Sequence, residues 1–211
     1  MKKKHSRTNK KSLIGLLLLS NSLITNMEVI KIADENMLFI INLLIYLLVF
    51  IFPVIFYLKF IDKVAPLEFL KLTKNIKQSF IKGLSISILF ILSLILKKII
   101  LGFNTINFNI GILWFSGLIV GILEEIPFRG FILQKFTKHM NFIAANLLTT
   151  LLFITIHIPI WLLNGVNIID SIKSLVVVSF ILGYLFKETD SLWVPIICHS
   201  VFNLTIWIGL G

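Results

Sequence analysis

The sequence predicts an all-α membrane protein, and three observations carry that prediction. Hydrophobic residues make up 57% of the 211-residue chain, against ~45–50% in a typical soluble domain. Charged residues contribute only 14%, against ~25% in soluble domains. The apolar residues are gathered in runs long enough to cross a hydrocarbon core of ~30 Å as helices. We therefore expect a polytopic helix bundle with about six to eight transmembrane helices.

The net charge of +10 does not indicate a nucleic-acid partner, because the lysines stand in short blocks between apolar runs. Such blocks are typical of cytoplasmic loops. The single cysteine, Cys198, excludes an internal disulfide framework. We interpret Cys198 as a buried apolar thiol. The sequence contains no Cys-rich or His-rich metal cassette.

The first 36 residues form a region of their own. A basic head, Met1–Lys11, precedes a short apolar segment, Leu13–Thr25, which polar residues interrupt at 20–22. This segment fits either a signal peptide with a poor cleavage site or a short first span, and we favour a retained segment. Residues 27–36 are acidic. Residues 37–211 are expected to form one membrane-embedded domain, with its motif-bearing core at about 83–211.

Six further apolar runs predict spans separated by polar turns. Pro53 inside the first run predicts a kink and not an end. Pro127 and Gly130, in contrast, are expected to interrupt the helix that follows the third run. The predicted spans are Met37–Leu58, Gly83–Leu96, Ile110–Leu123, Asn141–Leu163, Ile172–Phe186 and Leu192–Leu210, and the turns are the basic connector Lys59–Lys82, the Asn-rich Ile99–Asn109 and the "KETD" segment Lys187–Asp190.

The stretch "GLIVGILEEIPFRGFIL" places two acids and an arginine beside apolar residues. A charged side chain in the middle of a membrane costs ~2.5–3.5 kcal/mol on insertion scales. Glu125 and Arg129 are four residues apart, so they share a helix face and can form an ion pair. Glu124 points about 100° away from Glu125. Glu124 therefore needs another partner or is held for chemistry, unless both acids simply mark the end of a span.

Two later spans carry polar residues of the same kind. His157 lies inside the run "LLTTLLFITIHIPIW", and His199 and Asn203 share one face of the last span. A lone buried histidine is more often structural than functional. Because each of these groups is costly in lipid, the most favourable arrangement brings Glu124, His157, His199 and Asn203 together in one partly wet cavity. We expect that cavity to open toward the cytoplasmic side, where the basic connector lies.

A glutamate with two histidines in a cavity supports hydrolysis of an amide by an activated water. The carboxylate can take a proton from the water, and one imidazole can hold the water and later protonate the leaving amine. The second imidazole can stabilise an oxyanion together with the Asn203 amide. A Zn²⁺ version is also chemically possible, with Glu124, His157 and His199 as ligands.

Three motifs resemble those of one family. "EEIPFRG" is similar to the Glu-Glu-x-x-x-Arg signature of the CAAX protease and bacteriocin-processing family, often called the Abi family. "FITIH" and "HSVFN" are similar to its Phe-x-x-x-His and His-x-x-x-Asn motifs, in the same order. The resemblance implies an intramembrane endopeptidase in which Glu124 and His157 activate water and His199 and Asn203 bind the oxyanion. Glu125 and Arg129 would hold the first of these helices in place.

The resemblance also bears on cofactor, partners and location. The family was long labelled as metalloproteases, but its glutamate–water mechanism needs no metal, so we expect no cofactor. Expected partners are membrane lipid and a peptide or protein substrate in or at the membrane. The richness in Lys, Ile and Asn is typical of a bacterium of low GC content, and we expect a multi-pass protein of its plasma membrane.

Two other classes of function stay open at this point. The first is a non-catalytic bacteriocin self-immunity or adaptor protein that keeps the fold, and such a protein would tolerate Glu124→Gln. The second is a proton-coupled transporter, in which intramembrane acids and histidines relay protons. A transporter is expected to show repeat symmetry between its halves, and the sequence contains no internal repeat.

Overall fold

The computed structural model describes residues 35–102 and 105–210, and every regular element in these two ranges is a helix. The prediction of an all-α fold is therefore confirmed. The basic head and the apolar segment Leu13–Thr25 lie outside the described residues. The described helices are α1 (35–61), α2 (Pro66–Phe69), α3 (Ile76–Leu101), α4 (113–136), α5 (Phe142–Leu163), α6 (Ile168–Thr189) and α7 (Trp193–Trp207).

Four of these helices are long and apolar enough to cross a membrane: Phe39–Ile61 within α1, then α3, α5 and α6. Helix α7 is a shorter apolar helix. Large apolar side chains cover the outer faces, and Leu48, Leu89 and Leu101 are between 66% and 74% exposed. Such a surface is suited to lipid and not to water. The chain is a membrane helix bundle.

Successive long helices run in opposite directions, so the bundle has two ends. We call one the basic end, and it contains the connections 62–75, 137–141 and 190–192. At this end the backbone N–H of Leu192 donates to the Lys71 carbonyl at 3.2 Å, and Lys71 pairs with Asp190. We call the other the loop end, with residues 102, 105–112, 164–167 and 208–210. Here the Asn107 N–H donates to the Ile208 carbonyl at 2.9 Å.

Helix α4 does not break where the sequence predicted an interruption. It runs as α-helix over Leu113–Glu125, continues as π-helix over Ile126–Leu133 and closes with Gln134–Phe136. Pro127 lies in the first turn of the π-helical segment, whose wider turn tolerates the missing N–H. At Gly130 an added Cβ would lie 2.8 Å from Leu70 Cδ2. That glycine permits close packing, and it does not end the helix.

Two other helices, α6 and α3, also extend beyond the ends predicted for them. Helix α6 continues through Lys187 to Thr189, so only Asp190, with a left-handed φ of 50°, belongs to the expected polar turn. Helix α3 begins at Ile76, inside the expected connector, and runs on to Leu101. At the end of α6 the Lys187 side chain is 50% exposed, so it reaches water from the last turn without ending the helix. Helix α1 passes through Pro53, as predicted, with π-helical turns on both sides at Leu47–Ile51 and Tyr57–Ile61.

Helix α7 packs against α3, α4 and α6 and so lies inside the bundle. Two glycines of α4, Gly117 and Gly121, allow the closest of these approaches, as small residues four apart commonly do in membrane helices. An added Cβ at Gly121 would lie 2.3 Å from Ser200 Oγ. The Ser200 hydroxyl donates to the Leu118 carbonyl at 3.0 Å. These contacts fix α7, and with it His199, against the acidic part of α4.

Helices α5 and α6 form a second close pair. The Asn146 side chain of α5 is fully buried and donates to the Phe180 carbonyl of α6 at 2.9 Å. Gly183 of α6 leaves the room that this amide occupies. The pair packs against the π-helical part of α4, which brings the second half of α5 beside the two acids.

Candidate active site

The two adjacent acids of α4 are both buried, with Glu124 4% and Glu125 0% exposed. They stand at the end of the α-helical part of α4, halfway along the whole helix. Because neighbouring helix residues point about 100° apart, they face different partners. The partners of Glu124 come from other helices, whereas Glu125 has one partner on α4 and one on α7.

Glu124 lies between a phenol and two imidazoles. Its Oε1 accepts a hydrogen bond from the Tyr46 hydroxyl at 3.0 Å. Its Oε2 is 3.6 Å from His199 Nε2 and 3.9 Å from His157 Nε2. The two longer separations exceed a direct hydrogen bond of about 2.7–3.2 Å. They suit a single water that contacts the carboxylate and both rings.

The other nitrogen of each imidazole fixes the orientation of its ring. His157 Nδ1 is 2.8 Å from the Phe153 carbonyl, which can only accept, so this nitrogen carries a proton and donates. His199 Nδ1 is 2.7 Å from Glu125 Oε1 and donates in the same way. In a neutral ring Nε2 is then an acceptor. A water between Glu124 Oε2 and two neutral Nε2 atoms can donate to only two of these three acceptors, so contact with all three requires a proton on one Nε2.

Arg129 is fully buried and joins three helices. Its Nη1 donates to Glu125 Oε1 at 2.7 Å, which is the ion pair expected from their spacing in α4. Its Nη2 donates to the Ser179 carbonyl at 2.9 Å and to Ser179 Oγ at 2.7 Å, both on α6. The Ser179 hydroxyl donates in turn to Thr150 Oγ1 on α5 at 3.0 Å. Glu125 thus serves both Arg129 and His199.

The Phe-x-x-x-His motif places Phe153 one turn before His157, and the packing of Phe153 gives a physical reason for that spacing. The side chain is 1% exposed, and its ring centroid lies 4.6 Å from that of His157 and 5.8 Å from that of His199. The Arg129 guanidinium lies 4.8 Å from the same ring, within the range of a cation–π contact. Phe153 therefore packs against both imidazoles and the arginine at once.

The structure thus brings Glu124, His157 and His199 together, with Glu125 and Arg129 next to them. Asn203 is one turn beyond His199 on α7 and is half-buried. Among the described residues it makes no hydrogen bond, and it does not contact Glu124. It lies on the same helix as His199, but it makes none of the contacts that join Glu124, His157 and His199.

Three residues of the site were not found from the sequence: Tyr46 on α1, Thr150 on α5 and Ser179 on α6. Tyr46 did carry a signal, since it is the one phenol in the apolar run "LFIINLLIYLLVF". Ser179 and Thr150 carried none, because a single hydroxyl in a membrane helix usually bonds to its own backbone.

A cavity of about 690 Å³ lies beside the site, between α1, α4 and the loop 107–112. Tyr46 and Leu123 mark its inner limit, and Leu123 directly precedes Glu124. None of the described side chains that line it is charged. We expected the site to open toward the basic end, but this cavity lies on the loop-end side. The first halves of α1 and α4 line it there, together with the loop 107–112.

The side chains of Glu124, His157 and His199 carry the types of atom that bind a metal, but the distances between these atoms are longer than a zinc site requires. Both imidazoles have the outer hydrogen bond to a carbonyl or carboxylate that metal-bound histidines normally make. Bonds of ~2.0–2.1 Å in a tetrahedral zinc site would place neighbouring ligand atoms ~3.3–3.4 Å apart. The separations from Glu124 Oε2 are 3.6 and 3.9 Å, and no group of three such side chains in the described part of the chain is arranged to hold an ion without adjustment.

Fold and site together define a class: a membrane helix bundle with a buried carboxylate and two oriented imidazoles. A comparison with known families defines this class more closely. Residues 105–205 match the family described as "Type II CAAX prenyl endopeptidase Rce1-like". This range contains every motif residue from Glu124 to Asn203, and the match supports the resemblance of these motifs to the CAAX protease family. No curated protein and no solved structure matches the chain.

Proposed function

We propose that the protein is an intramembrane endopeptidase that hydrolyses a peptide bond with a water activated by Glu124 and His157. One observation carries the proposal: Glu124 Oε2 lies within 4 Å of the Nε2 atoms of both His157 and His199. The match of this region to a family of endopeptidases supports the same reaction class.

The water is expected to bind between Glu124 Oε2 and the two Nε2 atoms. Glu124 accepts one of its protons while the water oxygen bonds to the carbonyl carbon of the substrate. The carbonyl oxygen becomes an oxyanion in the tetrahedral intermediate. When the C–N bond breaks, the proton held by Glu124 passes through His157 Nε2 to the leaving nitrogen. The second water proton leaves with the new carboxyl group, so the products are a carboxylic acid and an amine, which become a carboxylate and an ammonium when that proton moves to the amine.

The two histidines differ in exposure, and we assign their roles accordingly. The His157 side chain is 23% exposed, whereas that of His199 is 4% exposed and is bonded to Glu125. His157 is therefore better placed to hold the water and pass a proton to the leaving amine. His199, when its Nε2 carries a proton, donates to the oxyanion together with the Asn203 amide.

The substrate is proposed to be a peptide or protein segment in or at the membrane. The cavity beside the site has a lining without charged side chains, so uncharged segments are favoured over charged ones. We propose the bacterial plasma membrane as the location, with lipid around the exposed apolar faces. Processing of small exported peptides, as in bacterial members of the family, agrees with these features.

We propose that the reaction needs no bound metal. Purified protein should therefore keep its activity after exhaustive chelation. Loss of activity on chelation, restored by one equivalent of Zn²⁺ per chain, would instead assign Glu124, His157 and His199 as ligands. Glu124→Gln serves as the control, since it should be inactive with and without added zinc under either mechanism.

The direct test is cleavage of a panel of short secreted peptides by purified protein in lipid vesicles, followed by mass spectrometry. Wild-type protein should release defined fragments, and Glu124→Ala of equal folded abundance should release none. If Glu124→Ala protein cleaves as well as wild type, the catalytic assignment is wrong. If neither protein cleaves but both protect cells from a bacteriocin, the chain is an immunity protein that keeps the family fold.

A further inference from the structure

We propose that Tyr46 is a positioning residue for Glu124, so that α1 completes a site whose motifs all lie on later helices. The inference rests on the proposed hydrolysis and extends it to a residue outside the range 105–205 that matches the family. Tyr46 belongs to the run that the sequence marked only as a span. Its hydroxyl lies closer to the Glu124 carboxylate than either imidazole does.

The two oxygens of Glu124 have separate partners. Oε1 accepts from the Tyr46 hydroxyl at 3.0 Å, while Oε2 faces His157 Nε2 and His199 Nε2. A carboxylate that is free to rotate about its last bond presents either oxygen to a water. The hydrogen bond from the Tyr46 hydroxyl to Oε1 removes that freedom and holds Oε2 toward the imidazoles.

The phenol is itself held in place by its own helix. The Tyr46 ring stacks on Phe50 with centroids 5.1 Å apart and planes 23° apart, and Phe50 is 5% exposed. The π-helical turn Leu47–Ile51 begins at the next residue. Such turns occur frequently at functional sites because the extra residue redirects side chains. The geometry of α1 thus directs the Tyr46 hydroxyl toward Glu124, the proposed base.

Tyr46 also lines the cavity, with Leu123 on the opposite wall, so a role in substrate binding must be separated from positioning. Loss of a positioning hydrogen bond lowers the rate of the chemical step. Loss of a binding contact raises KM and leaves kcat unchanged. The variant Tyr46→Phe removes only the hydroxyl and keeps the ring on Phe50, which makes this distinction measurable.

The experiment is steady-state cleavage by purified Tyr46→Phe in lipid vesicles, with rates expressed per folded protein as measured by size exclusion. We expect kcat to fall about 10- to 100-fold, the effect of losing one hydrogen bond to a charged group, with KM changed less than about 2-fold. Tyr57→Phe is the matched control. It makes the same chemical change on the same helix, but Tyr57 packs against Phe131 near the basic end, and its kcat should equal that of wild type.

Glu124→Gln is measured beside these variants. If it is inactive while Tyr46→Phe has the kcat of wild type, the role of Tyr46 is refuted and the proposed hydrolysis stands. A rise in KM alone would also refute it, because Tyr46 would then be only a wall of the cavity. If Glu124→Gln is as active as wild type, the proposed function fails and the role of Tyr46 fails with it.

Discussion

Residues 124 and 125 are identical in chemistry, yet their surroundings give them different tasks. Glu125 is in contact with a permanent cation, Arg129, and with His199 Nδ1. Among the described residues Glu124 forms no ion pair with an arginine, and it faces Tyr46 and two Nε2 atoms. Two carboxylates whose environments differ in this way are a common basis for separating a structural acid from a reactive one. We therefore propose that Glu124, and not Glu125, is the acid that exchanges a proton with water.

The buried ion pair yields a prediction about stability. Glu125→Leu leaves the Arg129 charge unpaired inside the bundle, which should destabilise the protein by about 3–5 kcal/mol. The double variant Glu125→Leu/Arg129→Met removes both charges, and replacing a buried pair by apolar residues is often near neutral. Thermal denaturation in detergent should therefore rank the double variant above the single one.

The double variant Glu125→Leu/Arg129→Met should recover stability but not activity. His199 loses the carboxylate that accepts from Nδ1, so its ring orientation and tautomer are no longer fixed. We expect a folded protein with strongly reduced cleavage. Full activity in the double variant would show that Glu125 acts only through the fold.

At the residue scale, the sequence predicted the members of the site that are costly in lipid. Glu124, His157 and His199 each needed a polar partner, and mutual contact was the most favourable solution. Tyr46 could not be found this way, because a phenol is tolerated in an apolar span without a specific partner. Its contact with Glu124 depends on the rotation of α1 about its axis, which the apolar pattern of a lipid-exposed helix does not fix.

The packing of α4 against α7 decides where His199 lies. The two helices approach at Gly121, where an added Cβ would lie 2.8 Å from the Ile196 carbonyl oxygen as well as 2.3 Å from Ser200 Oγ. Backbone atoms cannot move aside as the end of a flexible side chain can. A larger residue at position 121 must push α7 away, and His199 is the neighbour of Ser200.

Gly121→Val tests this close approach. Overpacking at such a contact should lower stability by about 1–3 kcal/mol and reduce cleavage, because His199 moves away from Glu124. Leu118→Phe is the control, since it adds volume to the same helix where the side chain is 52% exposed. Melting temperature and cleavage rate are measured for both. Equal values for Gly121→Val and Leu118→Phe would contradict the packing account.

At the element scale, helix existence was predictable and helix ends were not. Length and hydropathy identified α1, α3, α5, α6 and α7. The prediction of an interruption at Pro127 and Gly130 was wrong, because tertiary packing overrode local preference. A π-helical turn accommodates the proline, and Leu70 occupies the space that a side chain at position 130 would need. Neither feature is visible in the order of residues along one helix.

The whole molecule has an uneven distribution of charge between its two ends. The basic end contains Lys71 and Lys74 in its connections and Lys135 and Lys138 near the end of α4. Lys135 pairs with Asp62 and lies 4.9 Å from the Tyr57 ring. An excess of lysine marks the cytoplasmic side, so we expect this end inside. The cavity at the loop end then faces the other side of the membrane.

Cysteine labelling of intact cells tests this orientation. In a Cys198→Ala background, Asn109→Cys at the loop end should react with a membrane-impermeant maleimide. Lys74→Cys at the basic end should react only after permeabilisation. Both positions are exposed in the structure, so access to the reagent depends on sidedness alone. The reverse pattern would place the cavity on the cytoplasmic side.

At this scale the sequence predicted one bundle but not which helices share the site. The motif spacing pointed to α4, α5 and α7, and the structure adds α1 through Tyr46 and α6 through Ser179. Nothing in a sequence fixes the order in which apolar helices pack around each other, since every lipid-facing run resembles the next. Helix α1 therefore contributes to the site, although its run carries none of the three motifs.

The central claim is that Glu124 takes a proton from water in the step that breaks the peptide bond. The most direct measurement is the single-turnover rate, with folded enzyme in excess over a cleavable peptide, because it isolates the chemical step from binding and product release. Glu124→Gln keeps the size of the side chain and removes the base. We predict a first-turnover rate at least about 100-fold below wild type, with equal folded abundance. A Glu124→Gln protein that completes its first turnover at the wild-type rate would contradict the account.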